Sequence, residues 1–412
     1  MKHFLLAILC FIYFTINAQS ITGTIISEEN KQPIVGANVY ISNSSLGTIS
    51  NEKGNFELNN LPKGNLTLVV SFVGYETFSY PFEAAIEVPI QLKIELKIKP
   101  KELDEVHVSN YEKDGFRKWG EFFIDNFIGQ MKEAANCKIK NPEVLKFKLD
   151  KNEHKLYVNA FSPLIIENKA LGYNIQYDLE GFEYNFSSKI LTYYGYAFFT
   201  DMDTKRKGKQ KKWYKKRVET YNGSITHFMR SMYNNSIEAD GFEVRRIIKI
   251  PNYEKQRVSK IVKSRMLTQF KNSTTISIDL NSDNSPKDGA DSSNYYNNIL
   301  NQPNETAYLI NKLLNADSIS TRLDNDTREF SFENYLQIEY KNKIETDEYL
   351  ASDRKTINKT PGIVNSEIVM LGTKKIKVFE KGNYFNPMEL LSMGWWGWSE
   401  KIANLLPIDF NP

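Results

Sequence analysis

Apolar and polar positions alternate with a period of two along much of this chain, and a few segments instead place apolar residues every three or four positions. Before residue 110 the alternating runs are short: 21–26, 37–42, 47–50, 54–58, 65–72, 77–82, 86–96 and 106–108, with Pro and Gly at the breaks. Runs of this length and spacing predict the strands of an all-β sandwich. The turn Ser50-Asn51-Glu52-Lys53-Gly54-Asn55 carries its own chemistry. Asn51 caps it with its side chain, and Gly54 supplies the positive φ that closes a hairpin before Phe56 turns inward. Gly74, before Tyr75, is a second such position.

Beyond residue 110 the rhythm changes twice. Phe116, Trp119, Phe123, Phe127 and Met131 share one face of a helix predicted over 115–136, which docks on a sheet. From Val144 the period returns to two: Leu145, Phe147 and Leu149 alternate with Lys146, Lys148 and Asp150, and Tyr173, Ile175, Tyr177 and Leu179 alternate with Asn174, Gln176, Asp178 and Glu180. These predict half-buried antiparallel strands, continued at 190–200, 241–250, 330–340 and 363–379. Short helices are expected at 224–233, 253–267 and 307–315, and an Asn-, Ser- and Asp-rich flexible loop at 281–298.

Four motifs carry a resemblance. In order, Ile21-Thr22-Gly23-Thr24-Ile25, Pro33-Ile34-Val35-Gly36-Ala37-Asn38-Val39, Gly47-Thr48-Ile49-Ser50-Asn51-Glu52-Lys53-Gly54-Asn55-Phe56 and Ser71-Phe72-Val73-Gly74-Tyr75 resemble the carboxypeptidase regulatory-like domain. The resemblance implies a transthyretin-like β-sandwich of seven strands, abundant in exported Bacteroidetes proteins and found before the plug of many TonB-dependent receptors. It also implies a non-catalytic accessory role, whatever the family's name suggests. Asn51 stands where the family usually has Asp, which keeps a turn cap and removes a charge. Leu103-Asp104-Glu105-Val106-His107-Val108 resembles the segment that closes this domain in receptors. Pro163-Leu164, Leu171-Gly172-Tyr173, Tyr194-Gly195, Tyr221-Asn222-Gly223-Ser224, His227-Phe228-Met229-Arg230 and Leu405-Leu406-Pro407-Ile408-Asp409-Phe410 resemble a family of Bacteroidetes proteins that pair this C-terminal region with the module, and that resemblance brings no reaction with it.

The start of the chain reads as an address. A basic Met1-Lys2-His3, an apolar run from Phe4 to Phe14 and a small residue at Ala18 form a secretory signal peptide with cleavage between Ala18 and Gln19. Cys10 sits inside the apolar run, not at its end, and is expected to leave with the peptide rather than carry a lipid. No later stretch has the roughly 18 apolar residues of a membrane helix. The expected organisation is a signal peptide at 1–18, a regulatory-like β-sandwich at 19–109, a connecting helix at 110–140 and a β-rich C-terminal domain at 141–412. The fold class is therefore mainly β, a sandwich followed by a larger α+β domain of antiparallel strands with a few helices. The remaining cysteine, Cys137, has no partner for a disulfide and is expected to be a small buried hydrophobe.

Composition changes this picture in one place. Of 412 residues 41% are apolar, enough for a core, and 53 Lys and Arg face 50 Asp and Glu, so the whole chain is not a basic polyanion binder. The balance hides a basic segment: Lys205, Arg206, Lys207, Lys209, Lys211, Lys212, Lys215, Lys216 and Arg217 lie within thirteen residues, with Trp213 and Tyr214 among them. Without these nine and Lys2 the rest has 43 basic against 50 acidic residues. The segment reads as a solvated hairpin between strands or, functionally, as a contact for an anionic envelope surface; export argues against nucleic acid.

Catalytic patterns are scarce. A zinc peptidase needs His-x-x-Glu or His-Glu-x-x-His, and His107, His154 and His227 begin neither. The serine-hydrolase elbow, the phosphate loop and the dinucleotide fingerprint are absent, and 283–291 fails the calcium-loop pattern at Lys287. Ser224, His227 and Ser231 share a helix face as a possible nucleophile and base; without an orienting carboxylate, Ser224 reads as an N-cap and His227 as a packing residue. Trp395, Trp396 and Trp398 would stack on sugar rings or a partner if exposed, and cap the core if buried among Leu390, Leu391, Ile402, Leu405 and Leu406, which is the expectation. The expected function is that of an exported, non-enzymatic protein, periplasmic or outer-membrane associated and without cofactor, that binds or scaffolds an envelope protein, glycan or lipopolysaccharide. The alternative is a glycan or peptide hydrolase with an unrecognised C-terminal site; an outer-membrane barrel is a weak third reading.

Overall fold

The computed structural model describes residues 19–84, 90–99, 111–272, 290–352, 359–385 and 387–412. The signal-peptide segment with Cys10 and Ala18, the strand expected at 106–108 with His107, and residues 281–289 of the expected loop lie outside them.

The first seven strands are β1 (Ile21–Ser27), β2 (Asn38–Ile41), β3 (Gly47–Ile49), β4 (Asn55–Leu58), β5 (Asn65–Ser71), β6 (Phe78–Glu83) and β7 (Ile90–Leu96). They form two sheets, β4-β1-β7 and β3-β2-β5-β6, that share a core of Ile21, Ile25, Val39, Ile41, Phe56, Leu68, Val70 and Ile94. The predicted turn chemistry is present. Asn51 Oδ1 accepts from the backbone N–H of Lys53 and of Asn55 at 2.9 and 3.0 Å. Gly54 has φ +74°, and a Cβ there would stand 2.4 Å from the Ile25 carbonyl oxygen.

Helix α1 (Gly115–Phe127) is shorter than its hydrophobic pattern implied, because Gly129 at φ +110° stops it before a short 3-10 turn at Lys132–Asn136. Phe123, Phe127 and Met131 are buried, whereas Phe116 is exposed. The helix packs on a six-stranded sheet of β8 (Cys137–Ile139), β9 (Leu145–Asp150), β10 (Lys155–Ala160), β11 (Leu164–Asn168), β12 (Tyr173–Asn185) and β13 (Ile190–Asp201). Its order is β8-β11-β12-β10-β9, with β13 along the other edge of the long β12. Cys137 is buried in this core, which pushes its thiol up to about 12.

The rest of the chain builds a second body. Its elements are α2 (Lys207–Tyr221), α3 (Ile225–Tyr233), β14 (Phe242–Pro251), α4 (Tyr253–Asn272), α5 (Ala290–Leu300), β15 (Glu305–Leu313), α6 (Ala316–Ile319), β16 (Ser320–Arg322), β17 (Arg328–Phe330), β18 (Tyr335–Ile344), α7 (Asp347–Ser352), β19 (Ile363–Met370), β20 (Ile376–Val378), β21 (Tyr384–Phe385), β22 (Leu390–Gly394) and α8 (Trp395–Ser399). Sheets β15-β14-β18-β19-β22 and β16-β17-β20-β21 enclose a core centred on Phe228, Phe242, Phe330 and Trp396.

Four expectations are corrected. Residues 205–217 are no hairpin: Lys, Gln and Arg are good helix formers, and Trp213 and Arg217 sit one turn apart to anchor one face, giving α2. The helix expected at 307–315 is β15, drawn into the ladder by β14. Residues 290–300 are helical rather than loop. The runs 330–340 and 363–379 each divide between two sheets; Asn334, at φ +61°, turns the first.

Candidate functional site

The outer face of β12 is where sequence and structure part. Gln176 and Asp178 alternate with buried Ile175, Tyr177 and Leu179 and so should face water, yet Asp178 is 4% exposed. The N-terminal sandwich covers it. Tyr40, on β2, donates its hydroxyl to Asp178 Oδ2 at 2.6 Å, Ser71 donates to Oδ1 at 2.9 Å and Thr77 to Oδ1 at 3.3 Å, while Gln176 Nε2 adds a bond at 3.1 Å. Two backbone bonds run alongside: Asn43 N–H to the Ala197 carbonyl at 2.7 Å and Phe199 N–H to that of Ser44 at 3.0 Å. Burial, with the Asp178 carboxylate beside it, drives the Tyr40 phenol far above its ordinary value, so it stays a donor.

The docked unit has seven strands, the Asn51 turn and the Gly54 corner. Residues 21–108 match the family model of the CarboxypepD_reg-like domain. Over 107 residues the chain is 39% identical to a TonB-dependent receptor of Formosa agariphila, and over 110 residues 36% identical to the TonB-dependent receptor SusC of Bacteroides thetaiotaomicron. These alignments cover 25% and 26% of this chain and 10% of each receptor, so the chain spans about a tenth of the length of these relatives. Among solved structures, a Bacteroides fragilis protein of unknown function aligns over 92% of this chain and 95% of its own at 8% identity, and a cohesin–X-dockerin complex from Acetivibrio cellulolyticus over 19% and 51% at 18% identity. Both have a TM-score of 0.16, at which likeness carries no argument. The CarboxypepD_reg-like domain is thus shared with TonB-dependent receptors, and among the described residues no helix is long and apolar enough to cross a membrane.

Helix α2 divides the basic segment in two. Trp213 is buried and donates Nε1–H to the Lys169 carbonyl at 3.0 Å, with its indole filling the space a Cβ would need on Gly172. Arg217 lies 3.6 Å over the Tyr173 ring, donates to the carbonyls of Leu171 and Gly172 at 2.7 and 3.1 Å, and pairs with Asp201 at 2.6 Å. Lys216 pairs with Glu133 and Glu219. These three residues therefore fasten the helix instead of facing a ligand. Lys209 lies 4.6 Å over the Trp213 ring. Lys205, Arg206, Lys207, Lys211, Lys212 and Lys215 remain exposed, with 207, 211 and 215 in one row four residues apart. The first turn has no acidic residue and the helix start no side-chain cap, so the positive end of the helix dipole adds to these charges.

The tryptophans do not form a stacking surface. Trp395 and Trp396 are buried, Trp396 donating Nε1–H to the Gly223 carbonyl at 2.8 Å, and Trp398 is half-buried against Tyr349 and Trp395. Nor do Ser224 and Ser231 form a nucleophile pair with His227. Ser224 Oγ accepts from the His227 backbone N–H at 3.1 Å as the cap of α3, Ser231 donates to the His227 carbonyl, and the His227 Nδ1 accepts from the Gly223 N–H. Burial among Tyr221, Phe242 and Tyr340 holds the His227 imidazole down at about 4. Sequence reasoning missed Glu400: burial pushes its carboxyl up to about 7, while the Ile225 N–H at the start of α3 pulls the other way.

Among the described residues, two clefts of several hundred Å³ contain carboxylates. One, of about 720 Å³, is lined by Glu238, Phe242, Glu243 and Lys341 among others, and a hydrogen bond from Arg245 holds Glu243 below its usual range. The other, of about 580 Å³, includes Glu339, Glu345, Tyr349 and Glu367. Among the described residues no three His, Cys, Asp or Glu converge to hold a metal ion.

Proposed function

We propose that this is an exported, non-catalytic envelope protein that carries its CarboxypepD_reg-like domain as a fixed layer on a β-rich body and docks the outer face of α2 on phosphate-bearing envelope lipid. The observation that carries the docking is the exposed row of Lys207, Lys211 and Lys215, flanked by Lys205, Arg206 and Lys212, on a helix whose opposite side is fastened by Trp213 and Arg217. A fastened helix presents its charges without ordering them anew at contact. Each lysine near an anionic surface contributes about 1 kcal/mol, falling off within a Debye length. The envelope setting draws support from the receptors that share the domain.

The non-catalytic reading draws support from the clefts. Hydrolysis by paired carboxyls needs one held protonated at the cleft, whereas Glu243 is held ionised by Arg245, and Glu339 and Glu367 are paired with Arg245 and Lys249. The experiment is co-sedimentation with vesicles of zwitterionic lipid with and without anionic phospholipid. Binding only to the anionic vesicles, weakening as salt rises and lost at least ten-fold in K207E/K211E/K215E, is the expected result. Equal binding by that triple variant would remove the proposal.

A further inference from the structure

The lysine row of α2 does not by itself separate a lipid headgroup from a free phosphate, since both offer the same oxygens to an ammonium. The residue beside the row does. Tyr214 lies one turn from Lys211, on the arc of the helix that also carries Lys207 and the half-buried Val218. Its ring is 51% exposed, although Trp213, one place earlier, is buried.

A lone exposed aromatic needs no explanation. This one is backed by a second ring from the far end of the chain. The half-buried Phe410 has its ring centroid 6.2 Å from that of Tyr214 and 6.5 Å from that of Tyr221. Its main chain is fixed on both sides, because its carbonyl accepts from Arg230 at 3.0 Å and its N–H donates to the Pro407 carbonyl at 2.9 Å. Arg230, which holds it, is buried. An apolar edge therefore runs along the flank of the lysine row and is ordered before any contact is made. The helix as a whole cannot sink into a bilayer: its surface is charged nearly all round, and its buried residues, Trp213 and Tyr221, face the protein. A single ring can enter, and a tyrosine suits that depth, with an apolar body and a hydroxyl for the headgroup layer.

We propose that the outer face of α2 docks on the bilayer surface itself, with its lysines at the level of the lipid phosphates and the Tyr214 ring, backed by Phe410, inserted among the headgroups. This rests on the lipid-docking proposal and names what the site recognises. A ring gains from the contact when an apolar layer lies beneath the charges, which a bilayer has and a soluble polyphosphate lacks.

The test compares the mature full-length chain, Y214A and Y214W at one ionic strength, on vesicles of phosphatidylcholine with phosphatidylglycerol and on soluble inorganic polyphosphate. Y214A is expected to weaken vesicle binding by roughly three-fold or more and to leave polyphosphate binding as it is. Y214W should bind the vesicles at least as tightly as the parent, with its added emission quenched by bromine-labelled acyl chains. Vesicle binding that is lost in K207E/K211E/K215E yet unchanged in Y214A, with no added quenching in Y214W, overturns this inference and leaves the lipid docking standing. Equal weakening of vesicle and polyphosphate binding by Y214A also overturns it. A parent chain that fails to bind the anionic vesicles overturns both.

Discussion

Asp178 shows how much a single residue can mislead when read along a strand. Its place in an alternating run assigns it to water, and its neighbours obey that rule. It is buried because Tyr40, Ser71 and Thr77, more than 100 residues away, bring three hydroxyl donors to it. Removing the acceptor leaves those donors buried and unpaired, each costing about 1–3 kcal/mol. D178A is therefore expected to lose at least about 3 kcal/mol by urea denaturation, with Y40F losing about 1–2 kcal/mol. A loss below about 0.5 kcal/mol in D178A would show that the joint is held by its backbone bonds alone. The Asn51 turn is the opposite case, because the capping Asn51 Oδ1 and the Asn55 N–H that donates to it lie four residues apart and needed no tertiary information.

At the scale of elements, α2 and α3 were differently legible. Helix α3 has its cap, Ser224, and its apolar face in the sequence. Helix α2 has no cap and a charged surface nearly all round, and it is fixed by Gly172, whose φ of +74° and missing Cβ admit the Trp213 indole. A Cβ at 172 would stand 2.2 Å from that ring. G172A is expected to lower the melting temperature by several degrees and to expose Trp213, seen as a red-shifted fluorescence. A variant as stable as the parent would mean that α2 is not seated there.

A second prediction at this scale concerns pH around α3. His227, held at about 4 against an ordinary 6.5, stays neutral in the folded chain while the unfolded chain takes up a proton; it withdraws stability as pH falls from about 6.5 to 4. Glu400, held at about 7 against 4.5, stays protonated in the folded chain while the unfolded chain ionises; it withdraws stability as pH rises from about 4.5 to 7. The two slopes oppose each other. Urea midpoints of the parent should vary little between about pH 4.5 and 6.5, those of E400Q should fall toward acid, and those of H227Q should fall toward neutral. Parallel profiles for all three would refute the assignment.

At the scale of the molecule, the C-terminal segment ties the parts together. Arg230 of α3 donates to the carbonyls of Lys381, Ile408 and Phe410, while the Ile408 N–H donates to the Asn43 carbonyl and Asp409 accepts from the Ser45 N–H at 2.9 Å. With the Asp178 joint, this couples the CarboxypepD_reg-like domain to both cores of the remainder. The intact chain is expected to unfold in one calorimetric transition, and removal of residues 408–412 to make the domain sensitive to protease before the rest. Unchanged cleavage kinetics would show that the segment lies on the domain without holding it.

What the sequence by itself determined is local. Strand periodicity, the Asn51–Gly54 turn, the Ser224 cap and the four motifs of the N-terminal module each depend on residues a few places apart, where chain geometry fixes the outcome. What only the tertiary structure decided is non-local: the burial of Asp178, the division of the basic segment into a fastened and an exposed side, and the choice of strand for β15. In each of these a partner far along the chain supplies the hydrogen bond, ring or ladder that outweighs local preference, and no pattern within one segment records that partner.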